Sequence, residues 1–266
     1  MARAVAPQAE LVTLTRNTGG AGGFAAGLAH SLVHEPSWIW LMDDDTIPSP
    51  TALEQLLAAV EKVPGVAVAG SRVVWTDGSD HPMNTPRRRP FAGRSERAHA
   101  ASAEVIPVRS SSFVSMLVDA DAVMAEGLPI VDYFIWNDDF EYSTRLLRRR
   151  VGVYVPGSVV VHKTKQLGST DADPGERFYF EVRNKLWMLR LSRSLSPAEK
   201  LLYGASTLRR WWRTFQGSSD RGTLSRAARR GWRDGWRTRP RSNADALADQ
   251  PGTAELISQA SAAGRN

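Results

Sequence analysis

Apolar residues in this chain follow two alternating rhythms. Short unbroken runs, Trp38-Ile39-Trp40-Leu41-Met42, Val66 to Trp75 and Val153 to Val161, read as buried strands. Between them, Ala25, Leu28, Ala29, Leu32 and Val33 recur at helical spacing, and Ala52 to Lys62 reads as a second helical stretch. Glu10 to Thr15 and Arg109 to Val118 add two strands, and Phe140 to Arg148 adds a helix. Strands alternating with helices predict an α/β layered domain. Thr76 to Ser102, rich in Pro, Gly, Arg and His, has no periodicity, and a long irregular stretch inside a compact domain is usually functional.

The ends of the predicted strands carry the chemistry. Asp43-Asp44-Asp45 closes the run Trp38 to Met42, and Trp136-Asn137-Asp138-Asp139-Phe140-Glu141 answers it about a hundred residues later. Three carboxylates at one strand end repel, and either a divalent metal or exposure to water relieves them. The plainer alternative is a solvated strand end, with Thr46 to Thr51 turning into a capped helix. In extended chain, Asp43 and Asp45 project to one side and Asp44 to the other. Upstream, Asn17-Thr18-Gly19-Gly20-Ala21-Gly22-Gly23-Phe24 sits at a strand-to-helix junction. Its glycines permit positive φ and close approach, and the helix N-terminus offers N–H groups to a phosphate; a turn with tight helix–strand packing is the alternative. The spacing is neither G-x-G-x-x-G nor that of a P-loop, so hydride-transfer and P-loop readings lose support. His162, at the end of a strand-like run, reads as a packed residue or a ligand. Asp138 and Asp139 precede a helix whose N-terminus stabilises an ionised carboxylate. They read either as a general base or as an N-cap beside a Glu141–Arg145 ion pair at i, i+4.

Four ordered motifs, Asn17-x-Gly19-Gly20-Ala21-Gly22-Gly23-Phe24, Met42-Asp43-Asp44-Asp45, Trp136-x-Asp138-Asp139-x-Glu141-Tyr142 and Val161-His162-Lys163, resemble those of inverting, metal-dependent nucleotide-sugar glycosyltransferases of the GT-A type, family 2. Within that family the likeness is to the actinobacterial galactofuranosyl- and rhamnosyltransferases of cell-wall assembly. The resemblance implies a GT-A-like (Rossmann-like) mixed sheet flanked by helices. It implies that Asp43, Asp45 and His162 hold Mn²⁺ or Mg²⁺, since oxygen-rich sites accept both. Asn17, Gly19, Gly20, Gly22 and Gly23 would meet the nucleotide donor, with Asp44 on its ribose side and Lys163 or Lys165 on its diphosphate. Asp139 would be the base, Asp138 its acceptor-binding neighbour and Glu141 a supporting residue. Trp136, Ser111, Ser112 and Phe113 would line the acceptor pocket. UDP-galactofuranose is the favoured donor, with dTDP-rhamnose next, and a glycan or polyprenyl-linked acceptor is expected. The irregular stretch becomes an acceptor-side loop, whose Arg87-Arg88-Arg89 meets an anionic lipid-linked acceptor or only solvent. The chemistry agrees: a departing diphosphate calls for a hard cation, and the attacking hydroxyl for a base.

Composition refines this picture. At 266 residues and 42% hydrophobic, the chain builds one principal domain, expected over residues 1–190. Without cysteine there is no disulfide, zinc–thiolate site or cysteine nucleophile. No apolar run reaches the ~18 residues of a spanning helix, and no signal peptide is evident. Residues 183–242 carry sixteen Lys/Arg against three Asp/Glu, together with Trp187, Trp211, Trp212, Trp232 and Trp236. Helices are expected around Asn184–Leu191, Pro197–Phe215 and Thr223–Arg237. Such basic, Trp-bearing helices over 191–241 suit an anionic membrane surface, at ~1 kcal/mol per basic residue, better than nucleic acid. Packing on the catalytic domain with a solvated Arg face is the alternative. The expected setting is cytoplasmic and peripheral, at the inner face of the plasma membrane. Residues 242–266, small and polar, are expected to be disordered.

The resemblance carries one more expectation. Family members place two strands with nucleotide-base and ribose contacts ahead of the glycine-rich region, and this chain starts after them. A gap is therefore expected between a Leu11–Thr15 strand and the Ile39–Met42 strand, with unpaired backbone groups and impaired stability or catalysis. Two further readings stay open: a metal-dependent nucleotidyltransferase, and a non-catalytic remnant that binds membrane or a partner through its basic segment.

Overall fold

The computed structural model describes residues 6–90, 92–164 and 173–263. In chain order the elements are α1 (Gly19–Leu32), β1 (Trp38–Met42), β2 (Thr46–Pro48), α2 (Ala52–Lys62), β3 (Val66–Val74), β4 (Arg87–Arg88), α3 (Arg94–Ser102), β5 (Ile106–Ser110), β6 (Ser115–Asp119), α4 (Ala120–Glu126), α5 (Asp138–Leu146), β7 (Val151–His162), α6 (Phe178–Leu191), α7 (Pro197–Gly217), α8 (Arg221–Arg237), α9 (Asn243–Ala246) and α10 (Pro251–Ala263). The strands form one sheet in the order β1-β6-β3-β7-β5-β4, with β2 paired to β7. The β3–β7 pair is parallel and the other pairs are antiparallel, giving the mixed sheet flanked by helices that the alternating pattern predicts.

Period-two alternation sorts β1 between two cores. Ile39 and Leu41 join α1, α4 and α5 on one face, while Trp38 and Trp40 pack with Leu56 and Ala59 of α2 on the other. At the centre, Val66 to Ser71 of β3 is buried without a break, as a strand covered on both faces must be. A buried hydroxyl knot crosses the sheet: Ser71 lies 2.7 Å from Ser115 and 2.8 Å from Ser158, and the Trp40 indole N–H donates to Ser115.

β7 positions the site by changing partners. Its first half pairs with β5 through Val153 and Tyr154, and its last residues pair with β2. The switch falls at an irregularity where Val155 and Val159 oppose consecutive residues of β3, which leaves Pro156, Gly157 and Ser158 without register partners there. Beyond it, His162 sits opposite Thr46, one residue after the acidic triplet.

Several expectations need correction. Residues 10–15 form no strand; Thr15 and Arg16 instead hydrogen-bond Asp249. No gap therefore opens inside the sheet, which ends at β1 among the described residues. The Arg109–Val118 run splits into β5 and β6, because residues 111–114 leave the sheet to line the cavity described below. The aperiodic stretch after Thr76 contains β4 and α3. The tail from Ser242, expected to be disordered, folds as α9 and α10: Ala246, Leu247 and Ile257 are buried in the main core, beside Leu28 and Ala29 of α1. Its few apolar residues escaped the compositional reading because their partners, from Leu28 to Val131, lie more than a hundred residues away.

Trp187 and Trp211 also turn inward, donating to the Thr238 carbonyl and the Glu181 carboxylate. α8 packs closely on α6, since a Cβ on Gly231 would lie 2.6 Å from the Tyr179 carbonyl oxygen and one on Gly235 2.8 Å from Leu186. Buried Arg109 ties α7 to β5 through Glu199, 2.7 Å away, which also closes the capping box with Ser196.

Because Leu247 is fully buried, Leu247→Ala is expected to cost about 2–5 kcal/mol in urea unfolding, whereas an unfolded tail would leave the transition unmoved.

Candidate functional site

Two loops and a strand end converge on one cavity of about 1000 Å³. At its first corner the β2–β7 register sets Asp43, Asp45 and His162 together, with one potential ligand atom from each within 4.8 Å of the others. His162 Nε2 lies 3.1 Å from Asp45 Oδ1, and its Nδ1 lies 3.1 Å from Asn84 Oδ1. An amide oxygen can only accept, so the Nδ1–H of His162 donates to Asn84 while Nε2 faces Asp45. Two carboxylates and an imidazole nitrogen that converge in this way suit Mn²⁺ or Mg²⁺, so the donor set fits the group that the resemblance implies. Asp43 is pushed up to about 6, first by burial and then by Asp45, Asp139 and Asp44. The triplet thus keeps the repulsion read from the sequence.

The second corner is the loop from Phe134 to Asn137. Phe134, Trp136 and Asn137 all have positive φ, at 65°, 63° and 62°, an unusual cluster for residues with side chains. Asn184 of α6, fully buried, holds it by donating to the carbonyls of Tyr133, Ile135 and Trp136 at 2.8–2.9 Å. The loop delivers Asp138 and Asp139 to the first turn of α5, facing the cavity. Burial raises both carboxyls, and the charge of Asp139 raises Asp138 further. Asp139 is opposed in this by the Phe140 N–H, the Ser112 hydroxyl, Lys185 and Arg87. Asp138 is thus the partner that keeps its proton, and Asp139 the one that ionises.

The glycine-rich turn serves this loop. Gly19 has φ 68°, and a Cβ there would fall 2.0 Å from the Phe134 carbonyl oxygen; one on Gly20 would lie 3.7 Å from Asp138. Asn17 accepts from the Gly19 N–H at 2.8 Å, and the Ala21 N–H donates to Phe134. Two of the N–H groups expected to meet a phosphate are therefore already used.

Of the residues read from the sequence, Asn17, Gly19, Gly20, Asp43, Ser111, Ser112, Phe113, Trp136, Asp138, Asp139 and His162 line the cavity. Gly22, Gly23, Asp44 and Asp45 do not: a Cβ on Gly22 would strike Thr18, Gly23 faces open space, and Asp44 and Asp45 are exposed, Asp45 meeting the site only through the cluster with Asp43 and His162. Glu141, expected as a supporting residue, turns away, buried against Arg145 at 3.0 Å and accepting from Ser192 at 2.6 Å. Lys163 is exposed and pairs its backbone with Asp45, while Lys165 lies outside the described residues. Sequence reasoning missed Asn84 and Asn184, along with Glu181, Lys185, Arg210 and Trp211, which complete the lining from α6 and α7. Only their position in basic, Trp-bearing helices hinted at these last four.

This geometry belongs with a recognised group of proteins. Residues 1–124 match the glycosyl transferase family 2. The chain is 33% identical over 139 residues to galactofuranosyltransferase GlfT1 of Mycolicibacterium smegmatis, covering 50% of this chain and 46% of that protein. It is 33% identical over 207 residues to galactofuranosyltransferase GlfT1 of Mycobacterium tuberculosis strain H37Rv, covering 71% of this chain and 67% of that protein. A crystal structure of GalNAc-T7 with UDP, GalNAc and Mn²⁺ is similar with a TM-score of 0.49 and 12% identity, covering 79% of this chain and 46% of that one. The chain belongs to glycosyl transferase family 2. It spans about half the length of the first of these relatives and about two thirds of the second.

Asn184→Ala removes all three loop bonds from a fully buried position and is expected to lower unfolding free energy by about 3 kcal/mol in chemical denaturation.

Proposed function

We propose that this chain carries the catalytic site of an inverting glycosyltransferase that moves a sugar from a nucleoside-diphosphate donor to an acceptor hydroxyl. The observation that carries this reading is that Asp43 and His162 of the Asp43/Asp45/His162 cluster line the same cavity as Asp138 and Asp139. A divalent cation held by the cluster would neutralise charge on the departing diphosphate. Asp139 takes the proton from the acceptor hydroxyl as that oxygen bonds the anomeric carbon and the bond to the diphosphate breaks on the opposite face. Asp138, protonated, donates a hydrogen bond to the acceptor. Ser112 orients Asp139 and, by accepting from the Asn84 amide at 3.1 Å, joins the base to the histidine of the cluster. Asn17, Gly19 and Gly20 border the donor side, and Trp136, Ser111 and Phe113 border the acceptor.

The relatives' names favour galactofuranose over rhamnose as the sugar. In this reading residues 1–190 hold the donor and base machinery, and within 191–241 α7 adds Arg210, Trp211 and Thr214 to the cavity wall. No helix among the described residues is long and apolar enough to cross a membrane. Instead, α7 exposes Leu201, Leu208 and Trp212 on one side, at 78%, 61% and 60%, with Arg209 and Arg213 beside them. That stripe supports peripheral contact with an anionic bilayer, where a polyprenyl-linked glycan acceptor would be met.

Calorimetric titration with UDP and Mn²⁺ tests the donor half. Binding is expected for the wild-type chain and absent in Asp43→Ala/Asp45→Ala. Asp139→Asn should retain UDP and lose transfer by about 10²–10⁴-fold. Release of pyrophosphate in place of UDP would point to nucleotidyl transfer.

Stability supplies a second test. Because the folded value of Asp43 is raised, its contribution is full only below the ordinary carboxylate range and is lost as pH rises through about 6. The metal-free chain should therefore weaken over that interval. Mn²⁺ should raise Tm more at about pH 7.5 than at about pH 5, and an equal rise at both would contradict a cation at Asp43.

A further inference from the structure

The turn after β3 sets one side chain in place. Residues 75–81 fold back along the strand end: the Trp75 N–H donates to the Ser79 carbonyl at 2.8 Å and the His81 N–H to that of Val73 at 2.9 Å, around Gly78 at φ 83°. Asp77 closes the bend by accepting from both the N–H and the hydroxyl of Ser79. His81, 1% exposed, then stands against His162 with ring centres 5.0 Å apart, its Nε2 3.2 Å from the Thr164 hydroxyl. A single 3₁₀ turn, Pro82–Asn84, is closed by the Asn84 N–H on the His81 carbonyl at 3.1 Å and brings Asn84 into the cavity wall.

There Asn84 uses both ends of its amide. Oδ1 accepts from Nδ1–H of His162 at 3.1 Å, and Nδ2 donates to the Ser112 hydroxyl at 3.1 Å. Ser112 Oγ accepts from the Val114 N–H as well, at 3.4 Å. With both lone pairs taken by N–H donors, that hydroxyl has one hydrogen left to give, and the Asp139 carboxylate receives it. Asp139 also accepts from the Phe140 N–H at 2.6 Å, so its carboxylate is held at two points. The hydrogen bonds therefore run one way, from His162 through Asn84 and Ser112 to Asp139. At the head of the chain, Nε2 of His162 faces Asp45 within the Asp43/Asp45/His162 cluster. Only an amide serves in the middle. It offers an acceptor to the imidazole and a donor to the hydroxyl at once, whereas a carboxylate there would accept from both and draw the Ser112 hydrogen away from Asp139.

We propose that Asn84 is a positioning residue that joins the two halves of the site, holding His162 for the cation and, through Ser112, holding Asp139 for the acceptor hydroxyl. This assignment rests on the transferase reading.

Calorimetric titration with Mn²⁺ alone, beside transfer assays, tests it on three variants. Asn84→Leu is expected to weaken Mn²⁺ by at least about tenfold, as loss of the group that orients a metal-binding histidine does. Asn84→Asp, whose carboxylate still accepts from Nδ1, should bind Mn²⁺ as tightly as the wild type or more tightly, and Ser112→Ala should bind it unchanged. In transfer, Asn84→Asp and Ser112→Ala should each lower kcat by at least about tenfold with KM for the donor unchanged, and the double variant should fall no further than the worse single one. A residue that only shaped the turn would lose Mn²⁺ and kcat together in both Asn84 variants. Unchanged Mn²⁺ affinity in Asn84→Leu, or kcat losses that multiply in the double variant, would overturn the proposal. Ser112→Ala, which removes a single oxygen, carries the test should Asn84→Leu fail to fold, and a kcat there within about twofold of the wild type would contradict the proposal equally. A wild-type chain that binds Mn²⁺ and transfers no sugar would instead remove the transferase reading, and the Mn²⁺ titrations alone would then decide the role of Asn84.

Discussion

The left-handed loop before Asp138 is the constraint on which the rest of the site depends. Phe134, Trp136 and Asn137 occupy backbone conformations that cost about 1–3 kcal/mol each, and they persist because their surroundings leave no alternative. Asn184 takes three of the loop's carbonyls, and Arg183 takes those of Asp132 and Tyr133. From the other side the loop presses the Phe134 carbonyl against Gly19, so closely that no side chain fits. The glycine-rich turn, the carboxylate loop and α6 are therefore one mechanical unit, although they lie over 160 residues apart in the chain. Their joint product is the direction in which Asp138 and Asp139 point.

The opposite corner depends on strand pairing. β7 pairs with β5 only before the irregularity at Pro156, Gly157 and Ser158, and after it β2 takes over and sets His162 beside the acidic triplet. Pairing with β2 fixes the distance between Asp45 and His162, and Asn84 then fixes the orientation of the ring by accepting from its Nδ1. A three-residue strand and a turn from an aperiodic stretch thus decide whether three ordinary side chains form a cation site.

How much of this was legible in the sequence follows from the range of each interaction. Unbroken apolar runs such as Val66 to Val74, and the helical spacing of Ala52 to Lys62, announce elements whose signals are local. The acidic triplet was legible because three adjacent carboxylates need a reason. The strand over Leu11 to Thr15 was misread, since β-like composition forms no strand where Thr15 and Arg16 find partners in the C-terminal segment. Asn184 was illegible: one amide in a basic helix means nothing until the loop it clamps is brought beside it. Glu141 shows the converse, for an acidic residue inside a motif-like run proved to be the i, i+4 partner of Arg145.

The electrostatics of the cavity make sense of both groups together. Burial pushes Asp43 and Asp138 toward their neutral forms and Lys185 toward its own, so each end works against its own charge in isolation. A cation at the cluster would relieve Asp43, while Lys185 and Arg87 already favour the ionised form of Asp139 over that of its neighbour. Two adjacent carboxyls are thereby pushed apart, one toward taking a proton and the other toward keeping it, which is the division of labour an acid–base pair needs.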